Sequence, residues 1–201
     1  MAASSQPLRR VVLATGNAGK QRELAALLAP RGFEPVLQTT LGIPSAEETG
    51  QTFSANALLK ARHAAAAAGL PALADDSGLE VDALDGRPGV WSARYAGPGA
   101  TDAANNAKLL MELRGTTGAR TARYRCVIAF VKSADDPAPL LAEGSWEGVI
   151  GTEPRGSGGF GYDPLFLPIG SHCTAAEMPA AEKNLMSHRA KALAALLEGL
   201  Q

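Results

Sequence analysis

Val11-Val12-Leu13-Ala14-Thr15-Gly16-Asn17-Ala18-Gly19-Lys20 is the stretch whose reading decides the fold. Val11 to Thr15 is short, apolar and β-branched, as a buried strand requires. Gly16 and Gly19 let the backbone turn tightly. A helix then follows, with Leu24, Leu27 and Leu28 on one stripe, and it stops near Pro30-Arg31-Gly32. Phe33 to Thr39 reads as a second strand. Strand, glycine turn, helix and strand in that order begin an α/β sheet.

The rest of the chain extends this pattern and then changes it. Leu41 to Gln51 is a loop carrying Ser45-Ala46-Glu47-Glu48-Thr49-Gly50. Thr52 or Ser54 caps a helix to about Ala68, whose alanine run is high helix propensity, and Gly69 and Pro71 end it. Ala72 to Ala74 reads as a strand that stops at Asp75-Asp76. Gly86 to Gly99 is a Gly/Pro-rich loop, and about Thr101 to Leu113 a helix. Ala122 to Val131 and Leu140 to Ile150 read as strands of a hairpin joined through Asp135-Asp136-Pro137. Pro179 opens a short helical turn. Ser187 caps a last helix from His188 to about Leu197, with Leu193, Leu196 and Leu197 on its apolar stripe. Alternating strands and helices followed by a hairpin predict an α/β fold with a mixed sheet and helices on both faces. No internal repeat or long linker divides residues 1–201, so a single domain is expected, with residues 1–10 disordered.

Composition narrows the class. The 201 residues are 46% hydrophobic and 19% charged, ordinary for a soluble globular chain, with a formal net charge of -1. Proteins that neutralise phosphates along a duplex carry a basic excess, so nucleic acid is not the expected partner. No apolar run is long enough to span a membrane. MAASSQPLRR has no apolar segment after its arginines and does not read as a secretory signal. Cys126, in an apolar run, and Cys173 make no disulfide framework. A cytoplasmic enzyme is the simplest reading.

Four groups of residues can carry chemistry. In Thr15-Gly16-Asn17-Ala18-Gly19-Lys20 a helix start offers free N–H groups and its dipole to an anion, and Lys20 adds a full charge. A polyphosphate suits it, although the spacing is not that of a Walker loop and a plain tight turn accounts for the same residues. Asp75 and Asp76 point to opposite faces of their strand at its carboxyl end, where open α/β sheets bind ligands. With Glu48 they offer carboxylates from two segments, enough for one Mg²⁺ completed by water and phosphate oxygens. A nearby carboxylate can deprotonate the attacking water. Phe160-Gly161-Tyr162-Asp163 offers a ring on which a base can stack, with Asp163 to accept from the base or order the loop; a Gly/Pro turn with core aromatics is the plainer reading. Lys183, His188 and Arg189 flank the Ser187 cap. His188 and Arg189 can donate to a 6-keto purine, and Lys183 and Lys60 can reach phosphate, while taken singly all four read as solvated positions. Trp91 and Arg94 wall the site or form an interface.

Six segments in order resemble the inosine triphosphate pyrophosphatase family, across nearly the whole chain. They are ATGNAGKQREL from Ala14, SAEETGQTFSANALLKA from Ser45, ALADDSGLEVDAL from Ala72, GRPGVWSARYAG from Gly86, GSGGFGYDPLF from Gly156 and AEMPAAEKNLMSHRAKAL from Ala176. The resemblance implies an elongated, two-lobed α/β fold with a long mixed sheet and a cleft between the lobes. It implies hydrolysis of inosine, deoxyinosine and xanthosine triphosphates to the monophosphate and pyrophosphate, with Mg²⁺, in a homodimer. By the same resemblance Thr15, Gly16, Asn17, Ala18, Gly19 and Lys20 hold the triphosphate, Asp76 is proton acceptor and metal ligand, and Glu48 is the second metal ligand. Ser77, Phe160, Gly161, Tyr162, Asp163, Lys183, His188 and Arg189 contact substrate. Donors aimed at O6 then accept hypoxanthine and xanthine and reject adenine. The residue that excludes guanine is not legible, nor is the division of labour between Asp75 and Asp76. A regulatory nucleotide-binding module and a pyrophosphatase for modified pyrimidines are the competing readings.

Overall fold

A computed structural model describes residues 9–200. One six-stranded mixed sheet runs through it in the order β2-β1-β3-β4-β5-β6. Strands β1 (Arg9–Leu13), β2 (Phe33–Leu37) and β3 (Ala72–Val81) are mutually parallel where they pair. Strands β4 (Thr121–Val131), β5 (Leu140–Ile150) and β6 (Phe166–Pro168) continue antiparallel. The hairpin is therefore where the sequence places it. Asp136 closes its loop by accepting from the Lys132 and Ala138 N–H groups.

Two expectations need correction. Arg9 and Arg10 belong to β1 rather than to a disordered leader, because they pair with Phe33 and Glu34 of β2; residues 1–8 lie outside the described residues. More consequentially, β3 does not stop at Ala74. It runs on to Val81, because β4 pairs with it along its whole length, while β1 reaches only Ala72 and Leu73. The two acids thus sit within a strand, just past the point where its parallel neighbour ends. The crevice expected at a strand's carboxyl end is the end of β1.

The helices keep their expected places: α1 (Ala18–Leu28), α2 (Phe53–Ala68), α3 (Asp102–Glu112), α4 (Ala180–Met186) and α5 (His188–Glu198). Thr52, Thr101 and Ser187 cap α2, α3 and α5. The segment expected as a loop contains a 3₁₀ turn, Gly89–Arg94. Strand alternation then sorts the core. On one face Leu13, Leu73, Cys126 and Ile128 pack with Leu24 and Leu28 of α1 and Leu193 and Leu196 of α5. Further along that face Leu79, Val81 and Tyr124 pack with Leu109 and Leu113 of α3 and with Tyr162 and Phe166. Val12, Ala14, Ala72 and Ala74 point the other way, onto Ala57, Ala61 and Ala64 of α2. Asp75 and Ser77 share this face of β3 between Leu73 of the first cluster and Leu79 of the second.

Candidate active site

Opposite-facing side chains give the two aspartates separate surroundings. Asp75 points toward α1 and α5. It is fully buried and accepts from Arg189 Nη2 at 3.1 Å and Ser77 Oγ at 2.9 Å, with Lys20 Nζ at 3.1 Å. Burial opposes its ionisation, but Lys20 and Arg189 outweigh burial and hold its carboxyl well below the usual range. Asp76 points toward α2. It accepts from Lys60 Nζ at 2.8 Å and Asn56 Nδ2 at 3.2 Å. Here burial wins over Lys60 and Lys20, and the carboxyl sits above its usual value.

Lys60 also donates to Glu48 at 2.9 Å, and Arg94 holds the other Glu48 oxygen at 3.0 Å. Burial works against Glu48, yet Lys60 and Arg94 keep it below the ordinary glutamate range. Glu48 and Asp76 therefore converge on one cationic position. Among the described residues no cluster of three or more acids, histidines and cysteines completes a protein-only metal cage. Two carboxylates with room beside them suit a hard ion that keeps waters and takes phosphate oxygens.

The glycine turn borders this acidic position. Thr15 Oγ1 accepts from the Asn17 N–H, and Asn17 Oδ1 caps the Lys20 N–H at 3.0 Å. Among the described residues the Ala18 and Gly19 N–H groups have no backbone or side-chain acceptor. Together with Lys20 and Lys60 they leave positive potential at the helix start. A cavity lined by Thr15, Gly16, Asn17, Lys20, Glu48 and Lys60 opens here.

A second cavity adjoins the first and shares Asn17, Lys20, Glu48 and Ala93 with it. Its far end is built by Phe160, Gly161, Tyr162, Asp163, Lys183 and His188. Asp163 orders this loop: it accepts from the Phe160 N–H at 2.9 Å, from Lys183 at 2.5 Å and from Tyr124 at 3.2 Å. The Phe160 ring lies close against Gly19, where a side chain would overlap it, and Lys183 Nζ stands 5.0 Å over its face. Tyr162 is a core residue that donates to the Ser92 carbonyl at 2.8 Å.

The start of α5 is not the exposed helix end expected from sequence. His188 and Arg189 are buried, because Gly144 of β5 has no side chain to hold the helix away; a Cβ there would overlap the His188 carbonyl oxygen. His188 stacks on Tyr124 at 4.7 Å and 9°, and its Nδ1 lacks a partner among the described residues. Burial, with Arg189 and Lys183 nearby, holds its pKa well below the free value. Arg189 spends its donors on Asp75, Ser77 and Glu23. Lys183 lies at the aromatic end, bound to Asp163 and Glu23, and not beside the phosphate turn where it was expected; Lys60 alone of that pair is there.

Several participants were not singled out beforehand. Glu23 joins Lys183 to Arg189, and its position one helical turn after Lys20 was a usable signal. Asn56 stands one turn before Lys60 in the same way. Tyr124 carried no such signal. Trp91 and Arg94, left between wall and interface, divide: Arg94 faces Glu48, while Trp91 is 58% exposed with its ring 4.4 Å from the Arg94 guanidinium.

With this geometry in view, comparison with known proteins gives one answer. Residues 11–199 match the model of the Ham1 family. The chain is 59% identical over 194 residues to the dITP/XTP pyrophosphatase of Methylococcus capsulatus, covering 96% of each. It is 54% identical over 195 residues to that of Escherichia coli K12, covering 96% of this chain and 99% of that one. Among solved structures, a HAM1 protein from Coxiella burnetii superposes with a TM-score of 0.87 at 48% identity, over 96% and 98% of the two chains. The nucleoside-triphosphatase / dITP/XTP pyrophosphatase from Mycobacterium abscessus gives 0.73 at 42%, over 96% and 100%. These relatives agree with the resemblance carried by the six segments, and the chain belongs to the Ham1 family.

Proposed function

We propose that this protein hydrolyses inosine, deoxyinosine and xanthosine triphosphates at the α–β phosphoanhydride bond, releasing the nucleoside monophosphate and pyrophosphate and so clearing non-standard purines before they enter DNA or RNA. The observation that carries this reading is the continuity of the two cavities. An anion-binding helix start and a carboxylate pair meet an aromatic, donor-lined slot across shared walls.

In this reading Thr15 to Lys20 receive the triphosphate. Glu48 and Asp76 would hold Mg²⁺, which would neutralise phosphate charge and polarise water. Asp76 takes the proton of the attacking water. Asp75, held ionised by Arg189 and Lys20, serves as a fixed counter-ion. Separate surroundings for two neighbouring carboxyls are how one site divides such duties. Lys20, Lys60 and the N–H groups of Ala18 and Gly19 meet the charge that develops on the phosphates. The loop Phe160 to Asp163 receives the base, and Ser77, Lys183, His188 and Arg189 are further substrate contacts lining the same cavity. A slot whose donors are fixed for O6 leaves them unpaired against adenine, which is how large discrimination arises.

A cytoplasmic homodimer completes the proposal. Among the described residues no helix is long and apolar enough to cross a membrane, and sedimentation at micromolar concentration tests the dimer. The catalytic reading is tested by pyrophosphate release from inosine, xanthosine, guanosine, adenosine and thymidine triphosphates, with Mg²⁺ and with chelator. Fast, metal-dependent turnover of the first two is expected. Equal turnover of all five would sink the base assignment, and tight binding without turnover would favour a regulatory module.

A further inference from the structure

The base end of the cleft has two walls that lie outside the sheet. One is the 3₁₀ turn Gly89–Arg94, the other the loop Phe160 to Asp163. Both are held by the first turn of α3, a helix to which sequence reading gave no role. Asp102 Oδ2 accepts the Gly161 N–H at 2.7 Å, and Asn106 Nδ2 donates to the Gly161 carbonyl at 2.8 Å. Both hydrogen-bonding groups of this one residue, whose φ of +63° suits glycine, therefore go to α3. Asn105 grips the opposite wall: it donates to the Ala93 carbonyl at 3.2 Å and accepts the Ala96 N–H at 2.8 Å. Spacings of three and four residues put these side chains on one face of the helix. Asp102, Asn105, Gly161 and Ala93 all line the cavity.

We propose that the first turn of α3 is a clamp that sets the width of the base slot and thereby its selectivity. Asp102, Asn105 and Asn106 are positioning residues that act through Gly161 and Ala93. The inference rests on reading this cleft as a purine site. Shifts on the order of 1 Å at a binding site change rates as much as lost contacts do, so a slackened wall relaxes the rejection of purines with unwanted substituents. Glu48 and Asp76 are untouched, so the effect falls on KM and selectivity rather than on kcat.

Asp102 is exposed, which makes it the position to change. Asp102→Ala removes the acceptor, and Asp102→Asn keeps an oxygen in its place. Steady-state kinetics with inosine, guanosine and adenosine triphosphates should show KM for inosine triphosphate raised about 10-fold in Asp102→Ala, as expected for one lost hydrogen bond, with selectivity over guanosine triphosphate falling in parallel. Asp102→Asn should stay close to the parent protein. Amide hydrogen exchange reads the clamp without any substrate: the Gly161 N–H should exchange faster in Asp102→Ala and remain protected in Asp102→Asn. Unchanged exchange and selectivity in Asp102→Ala, or equal loss in both variants, would overturn the clamp. A parent protein without preference for inosine triphosphate would instead overturn the functional reading, leaving the exchange result to judge the clamp.

Discussion

Asp75 and Asp76 are one peptide apart and answer to different helices. Exchange of either for asparagine is a change of one atom, yet the expected outcomes differ. Asp75→Asn leaves Arg189 and Lys20 without their shared counter-charge in a buried place, and breaking such an ion pair costs about 3–5 kcal/mol. Against a total stability on the order of 5–15 kcal/mol, that is a large loss, readable as a lowered urea midpoint. Asp76→Asn leaves Lys60 paired with Glu48. It should shift the midpoint far less while reducing turnover by about 10²- to 10⁴-fold, the usual worth of a positioned base. A reversed pattern, with Asp75→Asn stable but inactive, would exchange the assigned duties. That the two acids face apart was legible from strand alternation. Which one meets which cation was not, because Lys60 and Arg189 lie 16 and 114 residues away in sequence from the acids they bind.

Among the elements, α5 best separates local from tertiary information. The Ser187 cap and the leucine stripe place its start and its buried face from sequence alone. Nothing local says that its first turn is sealed against β5, since that depends on Gly144, more than forty residues earlier. Gly144→Ala should therefore do two things. Forcing a methyl group into a close contact costs about 1–3 kcal/mol, and lifting the helix start displaces His188 and Arg189. Chemical denaturation should show the first effect, and a raised KM for inosine triphosphate the second. Wild-type values of both would mean that α5 does not rest on this contact. The 3₁₀ turn Gly89–Arg94 makes a similar point: glycine and proline announced an irregular segment, while its tie to Tyr162 through the Ser92 carbonyl exists only in the folded chain.

For the whole molecule, buried charge couples stability to pH. His188 is held neutral by burial and by Arg189 and Lys183. Below about pH 6.5 the unfolded chain binds a proton here that the folded chain does not, so stability falls as pH falls, by up to about 1.4 kcal/mol per pH unit from this group. Replacing it removes that dependence: His188→Gln, compared with the parent by urea denaturation at pH 7 and pH 5, should lose less stability over the interval. An equal loss would mean that His188 titrates normally. Occupation of the cleft acts on the same scale. Inosine triphosphate with Mg²⁺ at about 100 times its Kd should raise stability by about 2.7 kcal/mol, as an increased Tm in a thermal melt of the catalytically slow Asp76→Asn variant, and chelator should reduce the shift. The α/β class, the mixed sheet with its hairpin and the caps of α2 and α5 were determined by the sequence itself, because they rest on apolar periodicity, capping residues and turn residues, all of which act within a few neighbours; the six segments were legible as a family resemblance. The continuation of β3 past its acids, the burial of Arg189 and His188, the place of Glu23 between Lys183 and Arg189, and the grip of α3 on Gly161 were decided only by the tertiary structure. They arise where strand pairing and helix packing bring together residues as many as 166 positions apart, and no local pattern specifies which buried charge will find which partner.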